Sequence, residues 1–212
     1  MIKLWGRRTS INVQKVMWVL AELNLEYDRL DLGGSFGGLT DTSYVKINPH
    51  QKVPTLVDGE IVVWESNAIL RYLGGAYGCD ALFGATTAAR AESDMWMEWY
   101  QSSVYASFQT LFHQTVKLPI GERSKAIREK AQANVSTQFE LFDSKLATCA
   151  FINGEHLTLG DVPMAASLYR YFTMDIERTE YPNISRYYAR LTQRSSYRDN
   201  VMIDYESLRA KN

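Results

Sequence analysis

The chain has 212 residues, of which 46% are hydrophobic, and its formal net charge at pH 7 is −1. A chain of this length can bury one or two cores unaided, and its nearly balanced charge gives no field that attracts nucleic acid or acidic membranes. The two cysteines, Cys79 and Cys149, have neither disulfide nor zinc spacing, so we expect free thiols in a reducing compartment.

The first elements alternate short apolar runs with one amphipathic helix. Ile2–Trp5 is typical of a buried strand, apolar residues at helical spacing predict a helix over 12–24, and Tyr27–Leu32 predicts a second strand. Because strand–helix–strand units join parallel strands, we expect these two strands to be parallel. The glycine-rich segment Gly33–Thr40 matches no phosphate-binding fingerprint and is expected to be a mobile loop beside a pocket.

A hairpin and a helix follow. The strands 54–57 and 60–64 are joined by Asp58-Gly59, a strong signal for a tight antiparallel turn. A helix begins near Ser66, and its predicted buried side carries Ala68, Ile69, Tyr72 and Leu73. The order of these elements is that of a thioredoxin-like α/β domain, which we assign to residues 1–76.

Beyond a predicted linker over 77–87, the pattern contains only helices. The first, over 88–116, ends at the Pro119 break. The next covers 124–147, with a predicted buried face of Ile127, Ala131, Val135, Phe139 and Phe142. Thr158 is the predicted N-cap of the next helix, and Asp161 three residues on completes a capping box, with Leu157 and Val162 at the staple positions. Pro182 begins another helix through Leu191. We expect an all-α C-terminal domain over 88–212.

Four motifs, taken in order and spacing, resemble those of the cytosolic glutathione transferases. They are Ser10-Ile-Asn12, Lys52-Val-Pro54, Glu65-Ser66 and the Thr158–Asp161 box. The resemblance covers essentially the whole chain and is nearest to theta-like and other bacterial classes with serine or asparagine at the active position. It implies a thioredoxin-like domain joined to a helical domain, a homodimer, a role in detoxification, and glutathione as co-substrate with no permanently bound cofactor.

The resemblance also implies which residues bind glutathione. Pro54 would be cis, leaving the N–H and C=O of Val53 to pair with the peptide backbone; a trans proline on an edge strand is the alternative. Ser66 at a helix N-terminus suits a carboxylate, and Glu65 beside it suits an amino group, although Ser66 can also be a plain cap. Lys52 would bind the glycine carboxylate, with His50 and Gln51 as flanking candidates.

The reacting sulfur must come from glutathione, because position 10 is serine rather than cysteine. A cysteine-like thiol has a pKa near 8.5. A hydrogen bond to its ionised form contributes about 1.5–3 kcal/mol and a helix N-terminus about 0.3–1 kcal/mol, enough to lower the thiol pKa by about one to two units. Ser10 is the preferred donor, Asn12 and Thr9 are alternatives, and Arg8 could add positive potential.

The second substrate would meet this thiolate in a pocket. Phe36 and Tyr105 are the leading lining candidates, with Phe108 and Phe112 further along the long helix, although core packing is the alternative for these helix aromatics. Gln101 is the candidate for completing the partner subunit's γ-glutamyl site. The predicted function is a glutathione S-transferase acting on apolar electrophiles; the alternatives are a glutathione-dependent disulfide or peroxide reductase and a non-catalytic interaction protein on the same scaffold.

Location and metal content follow from absent patterns. The N-terminus has no signal-peptide pattern and no apolar run is long enough to span a membrane, which predicts a cytoplasmic protein without membrane partners. His50, His113 and His156 are far apart and form no metal-binding motif, so no metal is expected.

Overall fold

The computed structural model describes residues 1–211, and its N-terminal region is built on a four-stranded sheet. Strand β1 (Ile2–Trp5) pairs in parallel with β2 (Tyr27–Leu30) and antiparallel with β3 (Thr55–Asp58), which pairs antiparallel with β4 (Ile61–Trp64). The order across the sheet is β2-β1-β3-β4. The predicted parallel pair and the predicted hairpin are confirmed, while β2 ends two residues before the predicted Leu32.

Three helices complete this region: α1 (Ile11–Glu22), the single turn α2 (Thr42–Val45) and α3 (Ser66–Tyr77). Helix α1 is buried around most of its circumference, because α3 packs on one side of it and the C-terminal helices pack on another. On α3, Ile69 and Leu73 are buried as predicted. The prediction was wrong for Ala68 and Tyr72, which are only half-buried.

The tyrosine has a physical reason for its position. Its hydroxyl donates a 2.8 Å hydrogen bond to Asp58 of the hairpin, so the ring lies at the edge of the core, and Leu70 takes a fully buried position instead.

The predicted linker 77–87 contains regular structure. It contains the single-turn helix α4 (Asp80–Phe83), and Leu82 is buried while its carbonyl accepts a hydrogen bond from Leu159 N–H in the helical region. The predicted long helix is a continuous helical path. It is formed by α5 (Thr87–Trp99) and α6 (Tyr105–Phe112), with π-helical segments at Tyr100–Val104 and His113–Lys117.

Four further helices follow: α7 (Lys125–Lys145), α8 (Val162–Thr173), α9 (Pro182–Leu191) and α10 (Ser195–Asn200). Ile127 on the first turn of α7 is half-exposed, contrary to the predicted buried face, because only the later turns from Ala131 onward reach the core. The predicted domain end, Asn212, lies outside the described residues.

The capping box before α8 differs from its prediction. Thr158 was expected to be the N-cap, but α8 begins at Val162 and Asp161 occupies the N-cap position. The Asp161 carboxylate is fully buried and accepts hydrogen bonds from Ile152 N–H, Thr158 N–H and the Tyr187 hydroxyl. Burial raises the pKa of Asp161 to about 6, against the lowering effect of these donors. The carboxylate therefore ties a loop, a helix start and α9 together.

Within residues 1–211, no helix is both long and apolar enough to cross a membrane. Nor does this range contain a group of three or more His, Cys, Asp or Glu side chains that could hold a metal ion. Cys79 is exposed, Cys149 is half-buried, and both are free thiols.

Candidate functional site

The end of β1, the start of α1 and the loop before β3 meet at Gly6. Its φ is +147°, and a Cβ built there would lie 2.4 Å from Cγ2 of Val13 and 3.1 Å from Cβ of Val53. Only glycine therefore allows this close approach. The result is that the N-terminus of α1 lies directly beside the Val53-Pro54 peptide.

Ser10 is the N-cap of α1. Its backbone is extended, with φ −84° and ψ 122°, and its carbonyl accepts hydrogen bonds from Val13 N–H and Gln14 N–H. The Ser10 hydroxyl forms no hydrogen bond with any other residue in the described range, so its proton is available to a ligand. The positive end of the α1 dipole adds attraction for an anion at this position.

Asn12, in the first turn of α1, connects the sheet region to the helical region. Its amide N–H donates to the Tyr105 hydroxyl at 3.1 Å, and its amide oxygen accepts from the Ser66 hydroxyl at 3.4 Å. Three side chains from α1, α3 and α6 thus converge on one point. Burial raises the pKa of Tyr105, and the hydrogen bond with Asn12 opposes that rise.

The Val53-Pro54 peptide bond is cis, and the loop carrying it is held from behind by buried polar groups. The Lys52 carbonyl accepts from the Tyr44 hydroxyl at 2.6 Å and from the Asn48 side-chain amide at 2.8 Å. Both donors also contact the Thr55 hydroxyl at 2.8 Å. The sequence analysis missed Tyr44 and Asn48; an aromatic and an amide residue on the irregular segment just before the proline were the available signal.

Glu65 occupies a strained backbone position at the end of β4. Its φ is +70°, in the left-handed region where a non-glycine residue carries a free-energy cost of order 1–3 kcal/mol. This geometry presents the Glu65 side chain, 3.8 Å from His50 Nε2, and begins α3 with Ser66, which is 5% exposed. Strained backbone conformations of this kind cluster at active sites and ligand-binding sites.

Seven of the predicted site residues lie on one cleft of about 40 Å³. Its lining consists of Asn12, Asn48, His50, Lys52, Val53, Pro54, Trp64, Glu65 and Ser66. Gln51 lies beside it on an exposed turn with φ +55°. The cleft offers an extended backbone edge, a helix N-terminus, an acid and a base, which together suit a short zwitterionic peptide.

A larger cavity of about 640 Å³ borders the β1–α1 loop. Thr9 and Arg8 line it, as does Phe36, which is 58% exposed. The pocket prediction was wrong for Phe108 and Phe112, which have no exposed surface, because α6 turns both rings into the core. Gln101 is exposed on the π-helical segment after α5. Ser10 lines neither the cleft nor this cavity.

Lys15 is a buried charge that the sequence analysis missed. Its Nζ lies 5.0 Å from the ring centre of Tyr100 and 5.6 Å from that of Tyr105, and it has no hydrogen-bond partner in the described chain. Burial lowers the pKa of Lys15 to about 7, and the Glu65 carboxylate opposes the shift. The only sequence signal was a lysine between apolar positions of α1.

Comparison with protein families matches two consecutive domains. The model described as "Glutathione S-transferase, N-terminal domain" matches residues 1–75, and "Glutathione S-transferase, C-terminal domain" matches residues 104–195. Glutathione S-transferase GstB of Escherichia coli (strain K12) is 36% identical over 205 residues, covering 96% of this chain and 99% of that protein. Glutathione S-transferase 3 of Zea mays is 29% identical over 165 residues, covering 76% of this chain and 73% of that protein.

A solved structure with similar architecture contains the tripeptide. The theta class glutathione S-transferase from Xanthomonas axonopodis pv. citri, with glutathione bound, superposes with a TM-score of 0.92 at 39% sequence identity. The match covers 96% of this chain and 98% of that one.

Proposed function

Because this chain belongs to the glutathione S-transferase family, we propose that it binds glutathione in the Asn12–Ser66 cleft and stabilises the thiolate for attack on an electrophile. The observation that carries this proposal is the convergence of the cis Val53-Pro54 peptide, Ser66 and Asn12 beside the N-terminus of α1. The similarity to a glutathione-bound relative over nearly the whole chain supports it.

Each part of the tripeptide has a matching group in the cleft. The N–H and C=O of Val53 pair with the cysteinyl backbone, in the manner of an added antiparallel strand. Ser66 and the first-turn amides of α3 bind the γ-glutamyl carboxylate, while Glu65 binds the adjacent amino group. Lys52 binds the glycine carboxylate, with His50 and Gln51 flanking it.

The thiolate lies at the start of α1, where the Ser10 hydroxyl donates to it. That hydroxyl has no competing protein acceptor, and the first-turn N–H groups of α1 add positive potential. Asn12, held by Ser66 and Tyr105, is the second candidate donor because it lines the cleft. Thr9 is a third, less favoured candidate, since it faces the larger cavity. The thiol proton leaves to solvent, and no general base takes part.

Substitution of Ser10 by alanine separates the candidate donors. A charge-assisted hydrogen bond contributes about 1.5–3 kcal/mol, so Ser10→Ala should raise the pKa of the bound thiol by about one unit or more and lower kcat at pH 6.5–7. Glutathione affinity should change little. The ultraviolet absorbance of the thiolate, titrated against pH in Ser10→Ala and Asn12→Ala, measures this effect. An unchanged titration in Ser10→Ala with a large shift in Asn12→Ala would assign the role to Asn12.

Oligomeric state, location and domain roles are proposed from the same family likeness. We propose a cytoplasmic homodimer acting in detoxification, with residues 1–76 as the glutathione-binding domain and the helices from 88 onward supplying the electrophile pocket and the dimer contacts. Exposed apolar residues on β4 and α5, namely Ile61, Val62, Trp64 and Met95, support a dimer face there. Gln101 on the segment after α5 would reach the partner's γ-glutamyl site.

Retention on immobilised glutathione tests the binding step before any assay of catalysis. A non-catalytic scaffold protein that had lost the cleft would pass through the column.

A further inference from the structure

The larger cavity beside the β1–α1 loop is lined by an excess of positive charge. Four cationic side chains, Arg7, Arg8, Arg29 and Lys117, face it against a single carboxylate, Asp31. The volume of about 640 Å³ lies within the range of small-molecule pockets. Its remaining wall consists of Thr9, Gly34, Ser35, Phe36, His113, Ser207 and Leu208.

Two of the four cations already have partners. Arg29 pairs with Asp31 and donates to the Gly6 carbonyl at 2.9 Å, which uses the only carboxylate of the lining. Arg8 donates to the Asp199 carbonyl at 3.0 Å. Arg7 and Lys117 form no salt bridge with any carboxylate among residues 1–211, and Nε of Arg7 is buried without a hydrogen-bond partner.

Besides Arg7 and Lys117, a third cation without a salt bridge in the described chain adds positive potential, although it does not line the cavity. Arg170 of α8 is 3% exposed, donates to the Thr9 carbonyl at 2.5 Å and stacks 4.5 Å from the centre of the Phe112 ring. Nζ of Lys117 lies 5.9 Å from the centre of the same ring. Burial, together with repulsion from Arg170 and Arg7, lowers the pKa of Lys117. Arg7, Lys117 and Arg170 thus lie close together, and no salt bridge within residues 1–211 offsets their charge.

The glycine-rich loop after β2 is shaped around one of these cations. A Cβ on Gly34 would lie 3.0 Å from both Cδ and Nε of Arg7, and a Cβ on Gly33 would lie 3.1 Å from Nη1. The absence of side chains at these two positions lets the Arg7 side chain lie against the loop. Phe36 of the same loop adds an aromatic wall on the exposed side.

We propose that this cavity binds the anionic group of the second substrate, so that the electrophile is one that carries a carboxylate or a similar anion, held by Lys117 and Arg7. Thr9, the residue before Ser10, lines this cavity, so the β1–α1 loop borders the cavity and also carries the proposed thiolate donor. This inference rests on the proposed function, and it differs from the apolar electrophile predicted from the sequence.

With an aryl or alkyl halide of this kind, the reaction is a nucleophilic substitution at carbon. The glutathione sulfur uses its electron pair to form a C–S bond, the C–halogen bond breaks, and the halide leaves with the bonding pair. The anionic group of the substrate does not react. Lys117 and Arg7 offset its charge while the negatively charged sulfur approaches, which otherwise would meet electrostatic repulsion.

The test uses unreactive probes, so that binding is measured apart from catalysis. Isothermal titration calorimetry compares 3-nitrobenzoate with 3-nitrobenzamide, in the presence of S-methylglutathione to keep the probes out of the glutathione cleft. Because a charge-assisted contact is roughly twice as strong as a neutral one, the benzoate should bind at least about tenfold more tightly than the amide. This preference should weaken as salt is added, since ions screen the attraction.

Three variants identify the group responsible. Lys117→Gln should reduce the benzoate-to-amide affinity ratio by about tenfold, and Lys117→Arg should retain it. Removal of one of several neighbouring cations relieves repulsion, so the glutamine variant should fold. Lys125→Gln, an exposed lysine of α7 outside the cavity, is the matched control and should leave the ratio unchanged.

Turnover of the reactive pair 4-chloro-3-nitrobenzoate and 4-chloro-3-nitrobenzamide, each normalised to its uncatalysed rate, should show the same preference. Equal affinities of the two unreactive probes, or an unchanged ratio in Lys117→Gln, would overturn the inference. Failure of the proposed function would give a different result, because neither aryl chloride would be turned over and glutathione would not bind.

Discussion

Lys15 shows how a single residue can oppose folding at neutral pH. The unfolded chain holds this ammonium with a pKa near 10.4, whereas burial lowers the folded-state pKa to about 7. Between these two values the unfolded state binds more protons, so the contribution of this group to stability rises with pH across that window. Below about pH 7 both states are protonated and the contribution is constant.

Replacement of Lys15 by methionine should therefore stabilise the protein. An unpartnered buried polar group costs about 1–3 kcal/mol, so Lys15→Met should raise the free energy of unfolding at pH 7 by about that amount, with the gain shrinking towards pH 10. Urea unfolding at both pH values measures it, with Lys130→Met on the exposed face of α7 as control. A variant that is less stable than wild type at pH 7 would show that the charge is compensated.

At the same scale, the sequence identified most cleft residues but not their contacts. Lys52, Glu65 and Ser66 stood out because their residue types and order are distinctive. The bond from Asn12 to Tyr105 joins residues 93 positions apart, and no local pattern encodes such a contact. Phe108 and Phe112 failed for the complementary reason: helical spacing shows that a face is apolar, but not whether it meets a core or a cavity.

At the scale of elements, α2 positions the loop that carries the cis Val53-Pro54 peptide. This single turn is too short for its periodicity to be seen in sequence, yet Tyr44 on it is buried and bonds both the Lys52 carbonyl and the Thr55 hydroxyl. The π-helical segments on either side of α6 were equally unpredictable, because they alter hydrogen bonding without changing the apolar pattern. Strands and long helices, by contrast, followed their periodicity closely.

Removal of the Tyr44 hydroxyl should weaken glutathione binding without altering the chemistry. One buried hydrogen bond contributes about 0.5–1.5 kcal/mol, so Tyr44→Phe should raise the Kd for glutathione roughly fivefold while the thiolate titration stays unchanged. Isothermal titration calorimetry gives the Kd. Tyr77→Phe is the control, because that exposed hydroxyl contacts Asp58 on the hairpin, away from the cleft. Equal affinity in wild type and Tyr44→Phe would show that the loop keeps its shape without the Tyr44 hydroxyl.

At the scale of the whole molecule, the proposed site lies where two regions share one helix. The N-terminus of helix α1 is the proposed thiolate position. At the other end of the helix, Glu22 pairs with Arg194 at 2.5 Å and accepts a hydrogen bond from Trp18 at 2.8 Å. Arg170 of α8 anchors the loop in front of α1 through the Thr9 carbonyl. The order of elements predicted both regions, but not this packing, since it depends on contacts between residues more than 150 positions apart.

The proposed function depends on one electrostatic effect, that the first turn of α1 favours the charged form of a sulfur brought by the ligand. Its most direct measurement is the pH titration of thiolate absorbance for glutathione bound to the wild-type protein, with the S-methylglutathione complex as blank. We predict half-ionisation about one to two pH units below the value of free glutathione. A bound thiol that titrates at the same pH as the free tripeptide, in a sample where calorimetry confirms occupancy, would contradict it.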